Sequence, residues 1–62
     1  MNIIKEKRLE LGLTQVELAK KAGVTRQTIS KLERETNPKV HWWTMKSVAD
    51  ALGASITDIF LF

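Results

Sequence analysis

Arg26, Gln27 and Lys31 stand within six residues of one another in the stretch GVTRQTISKLER, residues 23–34. On a helix turning about 100° per residue, with Ile29 set inward, Gln27, Lys31 and Arg34 lie within roughly 40° of the opposite side. Arg26 lies nearer the flank, in the first turn. Side chains of these types can match flat polar edges. A guanidinium or ammonium suits two acceptors side by side, as guanine presents in the major groove, and a carboxamide suits an acceptor beside a donor, as adenine presents. Three such residues in isolation are most simply a solvated helix face, which any soluble protein needs. The elements that carry them decide between the two readings.

Those elements are marked locally. Gly12, Gly23 and Gly53 each follow a stretch with helical spacing, where a left-handed residue closes a helix and only glycine adopts it without steric cost. Thr14 followed by Glu17 is a capping box, Thr25 can cap the next helix, and Ser55 with Asp58 repeats the pattern. Pro38 sits in TNPKV, which reads as loop. The spacing predicts helices over about residues 2–11, 15–22, 26–34, 42–52 and 56–61. No stretch alternates apolar and polar residues at period two, so no strand is expected. The fold class is all-α: a single five-helix unit over residues 1–62, with no internal repeat, low-complexity tract or linker.

A chain of 62 residues has room for one small core. It has no cysteine, and the single His41 cannot build a metal centre, so no disulfide, metal or other cofactor is expected. No nucleophile with a base, no paired carboxylates and no phosphate-cradling glycine loop is present, which argues against an enzyme. The N-terminus has no apolar run after its charges, and no segment approaches the roughly 18 residues of a membrane span; the expectation is a soluble, cytoplasmic protein. Net charge is +3. Residues 1–39 hold nine of the ten Lys and Arg and five of the seven acids, a balance of +4, against −1 for residues 40–62. The positive part is the one that contains residues 23–34, which fits a phosphate-rich partner.

The connection AGVT between the second and third helices is too short for a relaxed antiparallel pair, so the two must cross steeply, with a small residue such as Ala19 at the contact. Leu18, Ala22, Val24, Ile29 and Leu32 then face inward. These offsets across Gln15 to Arg34 make up a helix-turn-helix, and GLTQVELAKKAGVTRQTISKLE matches nearly every fixed position of the pattern GLTQxELAxKxGVSxxxISxxE. The chain therefore resembles the lambda repressor and Cro-like family, also called XRE-type, from about Ile4 to Phe60.

The resemblance implies a sequence-specific, dimeric DNA-binding regulator, a repressor, with the third helix in the major groove of a near-palindromic operator. Arg26, Gln27 and Lys31 occupy the positions at which relatives touch bases. Gln15 and Thr25, at helix starts with unpaired N–H groups, are candidates for phosphate contacts, as are Asn37 and Lys39 in the following loop; each can instead be a cap or a solvent group. Thr28 suits a thymine methyl or a phosphate, and Arg34 a phosphate or water. Glu33 falls only about 40° from Ile29 on the wheel and needs a partner. Relatives often pair this position with an arginine, here Arg8, which shares a face with Ile4 and Leu11. The pair would be structural. The resemblance breaks at Lys7, where many relatives carry an apolar residue, so looser packing of the first helix is expected.

Trp42, Met45, Val48, Ala49 and Leu52 follow helical spacing, and Trp42 reads as core. Trp43 aligns with Lys46, Ser47 and Asp50 on the polar face. With Leu61 and Phe62 of the apolar end DIFLF it is a candidate for a homodimer interface, the remaining Ile56, Ile59 and Phe60 closing the core. The alternative function is an antitoxin or adaptor whose main partner is another protein, a toxin or an inducer-sensing protein.

Overall fold

In the computed structural model, which describes residues 3–34 and 40–60, five helices follow one another: α1 Ile3–Glu10, α2 Gln15–Ala22, α3 Arg26–Arg34, α4 Trp42–Ala51 and α5 Ile56–Ile59. Among the described residues there is no strand. The helix ends are set by local chemistry. Thr14 Oγ1 accepts from the Glu17 N–H at 3.1 Å while Glu17 Oε1 accepts from the Thr14 N–H at 2.8 Å. Ser55 and Asp58 form the same reciprocal pair at the start of α5. At the start of α3, the Thr25 hydroxyl accepts from the Thr28 N–H at 3.2 Å.

Gly23 closes α2 at φ 72°, and two carbonyls that the helix leaves unpaired are then satisfied: Gly23 N–H reaches Lys20 O and Val24 N–H reaches Ala19 O. This double closure turns the chain sharply enough for α3 to start three residues later. Gly12 and Gly53 adopt the same conformation after α1 and α4.

The core is built where α2, α3 and α4 meet. Leu18, Ile29, Leu32 and Val48 are the largest fully buried side chains, with Ile4, Ala19, Ala49, Ala51, Leu52 and Ile59 around them. Each of those four contributes about 1.5–3 kcal/mol of transfer free energy. Ala19 is 4% exposed, so α2 presents a methyl group to the core beside Leu18. Ala22 and Val24 are half-buried against the same cluster, as are Ile56 and Phe60, which with buried Ile59 close the far side.

Two apolar residues depart from the helical spacing. Trp42, expected in the core, is 58% exposed. Val40, the residue before the cap His41, packs against the cluster, and Trp42 does not. Leu11, expected to share the inward face of Ile4 and Arg8, is 51% exposed. It lies past the end of α1, where the chain turns at Gly12, and Leu13 takes the place against the core. Lys7 is half-buried and 3.9 Å from Glu10, beside a well-buried Ile4.

Candidate nucleic-acid interface

The outward side of α3 follows from the burial of Ile29 and Leu32 on its inward side. Arg26, Gln27 and Arg34 are exposed, and Lys31 has its stem half-buried, which leaves the ammonium at the tip to reach outward. Among the described residues the ion pairs are Lys7–Glu10, Arg8–Glu33 and Lys46–Asp50, and none involves Arg26, Lys31 or Arg34. Among the described residues, then, this strip of three cations on one helix has no carboxylate partner. Together with the Gln27 amide they present only donors at three points and a donor–acceptor pair at the fourth.

Behind the strip, Arg8 holds α1 to α3. Its Nε donates to Glu33 Oε2 at 2.6 Å and its Nη2 to Glu33 Oε1 at 3.1 Å, a two-pronged fork onto one carboxylate. Its Nη1 donates to Leu13 O at 2.8 Å, and the Leu13 N–H returns to Arg8 O at 3.0 Å. The Arg8 and Glu33 side chains are 10% and 6% exposed. Desolvation on that scale makes the pair a device for fixing geometry more than a source of net stability.

Gln15, the first residue of α2, sits between this pair and the strip. Its Nε2 donates to Glu33 Oε1 at 3.1 Å, and its Oε1 accepts from Arg26 Nη1 at 3.0 Å. Four polar side chains from three helices are thereby joined in a row: Arg8, Glu33, Gln15, Arg26. Neither Gln15 bond is foreshadowed locally, because the partners stand 18 and 11 residues away and meet only through the α2–α3 crossing. By helix geometry the backbone N–H groups of Gln15 and Val16 have no carbonyl of their own helix to bond, so the start of α2 offers donors next to the strip.

The hydroxyls of Thr25 and Thr28 lie 3.0 Å apart, with Thr25 engaged as the cap of α3. Asn37 and Lys39, named as phosphate candidates, lie outside the described residues, as do Leu61 and Phe62 of the dimer candidates. Trp43 is 64% exposed on α4, and its ring stacks on His41 at 4.4 Å between centroids with planes 7° apart. Sequence spacing gave no hint of that stack.

Two carboxylates away from α3 are shifted. Hydrogen bonds from the Thr14 backbone and then its side chain hold the Glu17 carboxyl below the usual carboxylate range. The Ser55 side chain, and then its backbone, do the same for Asp58. Both belong to helix caps. Among the described residues no group of three His, Asp or Glu side chains could hold a metal ion, and no helix is long and apolar enough to cross a membrane.

A helix-turn-helix family pattern matches residues 4–59. The chain is 49% identical over 61 residues to an uncharacterized HTH-type transcriptional regulator of Methanothermobacter thermautotrophicus, covering 95% of this chain and 86% of that one. It is 43% identical over 60 residues to an uncharacterized HTH-type transcriptional regulator of Archaeoglobus fulgidus, covering 95% and 83%. It is also 42% identical over 57 residues to the immunity repressor protein of Bacillus phage phi105, covering 90% of this chain but 38% of the phage protein. With that pattern spanning nearly all of a chain whose α2 and α3 pack together on either side of the turn at Gly23, the protein belongs to the helix-turn-helix family of DNA-binding transcriptional regulators, of the lambda repressor and Cro-like type.

Proposed function

We propose that this protein is a sequence-specific repressor that binds a near-palindromic DNA operator as a homodimer, with α3 in the major groove. The observation that carries this reading is the strip on α3: three cations without carboxylate partners among the described residues, and one amide, on a helix pinned from behind by the Arg8–Glu33 fork. Arg26, Gln27 and Lys31 read base edges. Arg and Lys suit the paired acceptors of guanine and Gln the acceptor and donor of adenine. Gln15, Thr25, Thr28 and Arg34 contact phosphates, joined by Asn37 and Lys39 from the loop after α3. Gln15 can do so because its amide has two N–H groups and Glu33 uses one.

The whole chain acts as one DNA-binding domain with no catalytic role. Trp43, exposed on α4, contributes to the contact between protomers together with Leu61 and Phe62. A twofold pair would set two copies of α3 about one DNA turn apart, roughly 34 Å, and the operator would mirror that symmetry.

Selection of bound sites from a random DNA pool tests the reading. The expected outcome is one motif with two inverted half-sites centred about 10 base pairs apart. Repeating the selection with Gln27→Ala and Lys31→Ala should flatten the motif at one base pair per half-site each, a loss of about 1–3 kcal/mol of discrimination. Lys39→Ala should weaken all sequences about equally and lower the salt dependence. Recovery of no motif at low salt, or an unchanged motif with both Gln27 and Lys31 replaced, would overturn it.

A further inference from the structure

We infer that the outward face of α4 is a self-complementary surface on which a second copy of this chain docks antiparallel, each Lys46 meeting Asp50 of the partner subunit. The inference rests on the homodimer reading above and says which surface makes the contact and in which orientation.

The exposed residues of α4 are Trp42, Trp43, Lys46 and Asp50. With buried Val48 set inward, all four fall within roughly 60° of the opposite side, so they make one stripe. Single apolar residues are ordinary at a surface, but two neighbouring indoles are the type of side chain that carries binding energy between proteins. The Trp43 ring is also held, stacked on His41 with the planes 7° apart, so it gives up little freedom on docking.

The charges on the stripe set the orientation. Lys46 Nζ stands 3.3 Å from Asp50 Oδ2. This pair serves its own helix poorly: the acid lies in the last turn, where the dipole favours a cation and α4 has none, and lysine before the acid is the weaker order at this spacing. A twofold contact presents the same patch from both chains. Parallel helices would set Lys46 against the partner's Lys46 and Asp50 against the partner's Asp50. Antiparallel helices paired level with Val48 set each Lys46 against the partner's Asp50, since the two residues lie about 3 Å to either side of that level. The same register brings Trp43 to the partner's Gly53, each about 7.5 Å from the twofold. Gly53 is exposed, and a side-chain carbon there would meet nothing within 4 Å, so the turn is open to an indole. A stripe of four side chains is small against the roughly 800 Å² per partner of a stable interface. The contact is therefore weak in free solution and gains when one operator holds both copies.

The test is an exchange of charge between chains. Lys46→Glu places two acids on the stripe, and Asp50→Lys places two bases. Each variant alone should self-associate at least about 10-fold more weakly than the parent chain, because its homodimer sets like charges together. An equal mixture of the two should recover the pairing as heterodimers, which a salt bridge confined to one chain cannot do. The recovery should fade as salt is raised. Trp43→Ala should weaken pairing by about 5- to 30-fold in the parent chain and in the mixture alike. Pairing is read by sedimentation of the free protein and by cooperative filling of the two half-sites of the selected operator. The helical circular dichroism of every variant should match the parent's, the exchanged side chains being exposed.

A mixture that pairs no better than either variant alone, while the parent chain dimerises, would overturn the inference and leave the homodimer reading standing on another surface. A parent chain that sediments as a monomer and occupies the selected operator as a single copy would overturn the homodimer reading itself.

Discussion

Arg8→Met removes a guanidinium that makes three hydrogen bonds, two to Glu33 and one to the Leu13 carbonyl. It leaves the Glu33 carboxylate, 6% exposed, with the Gln15 amide as its remaining described partner. Stranding one member of a buried ion pair costs about 3–5 kcal/mol. At about 0.05–0.15 kcal/mol per residue, a chain of 62 residues has roughly 3–9 kcal/mol of stability in all. The single substitution therefore removes from about a third of it to all of it. Glu33→Leu strands the opposite charge and should act alike. The double variant Arg8→Met/Glu33→Leu buries no charge. It leaves the Leu13 carbonyl and the Gln15 N–H to find water, a cost of about 1–3 kcal/mol that the added apolar contact partly offsets. It should stand about 1–3 kcal/mol above either single variant. Urea titration followed by helical circular dichroism measures this. With a slope near 1 kcal/mol per molar for so small a chain, each single lowers the midpoint by about 3–5 M or unfolds the protein outright, and the double regains about 1–3 M. A double variant no more stable than the weaker single would refute the reasoning, because independent contributions add and only a coupled pair recovers.

Trp42→Ala should change stability by no more than about 0.5–1 kcal/mol in the same titration, since the side chain is 58% exposed, whereas a core tryptophan would cost about 3–5 kcal/mol. Gly23→Ala should cost about 1 kcal/mol through backbone strain alone, because a Cβ at φ 72° meets nothing within 4 Å; Gly23→Asn should cost less, asparagine tolerating the left-handed region better. The folded-state pKa values of Glu17 and Asp58 lie below their unfolded ones, so these caps contribute fully above the ordinary carboxylate range. Their contribution is lost as pH falls through the depressed folded values. Thermal melts from neutral to strongly acid pH should therefore show a flatter acid limb for Glu17→Gln/Asp58→Asn than for the parent protein.

The helices and their ends were legible in the sequence because the devices that set them act over three or four residues. Thr14 with Glu17, Ser55 with Asp58, and a glycine after each of α1, α2 and α4 need no distant partner. The inward faces of α2 and α3 were legible for the same reason, Leu18 and Ala19 on the one and Ile29 and Leu32 on the other being buried. Periodicity fails at the helix ends. Nothing within Trp42–Leu52 tells how far along α4 the core reaches, so the spacing extends the apolar stripe to a tryptophan that stands in solvent. Leu11 misleads in the same way at the end of α1.

The polar side chains divide likewise. Residue types and the wheel set Gln27, Lys31 and Arg34 outward, left Arg26 nearer the flank and put Glu33 near the core. Only the three-helix arrangement decided that the Glu33 carboxylate, the Gln15 amide and the Arg26 guanidinium lie in a line with Arg8 behind them. Local sequence fixes which way a side chain leaves its own helix, because that depends on 3.6 residues per turn; what it meets there depends on where another helix crosses, and residues 11 to 25 positions away settle that.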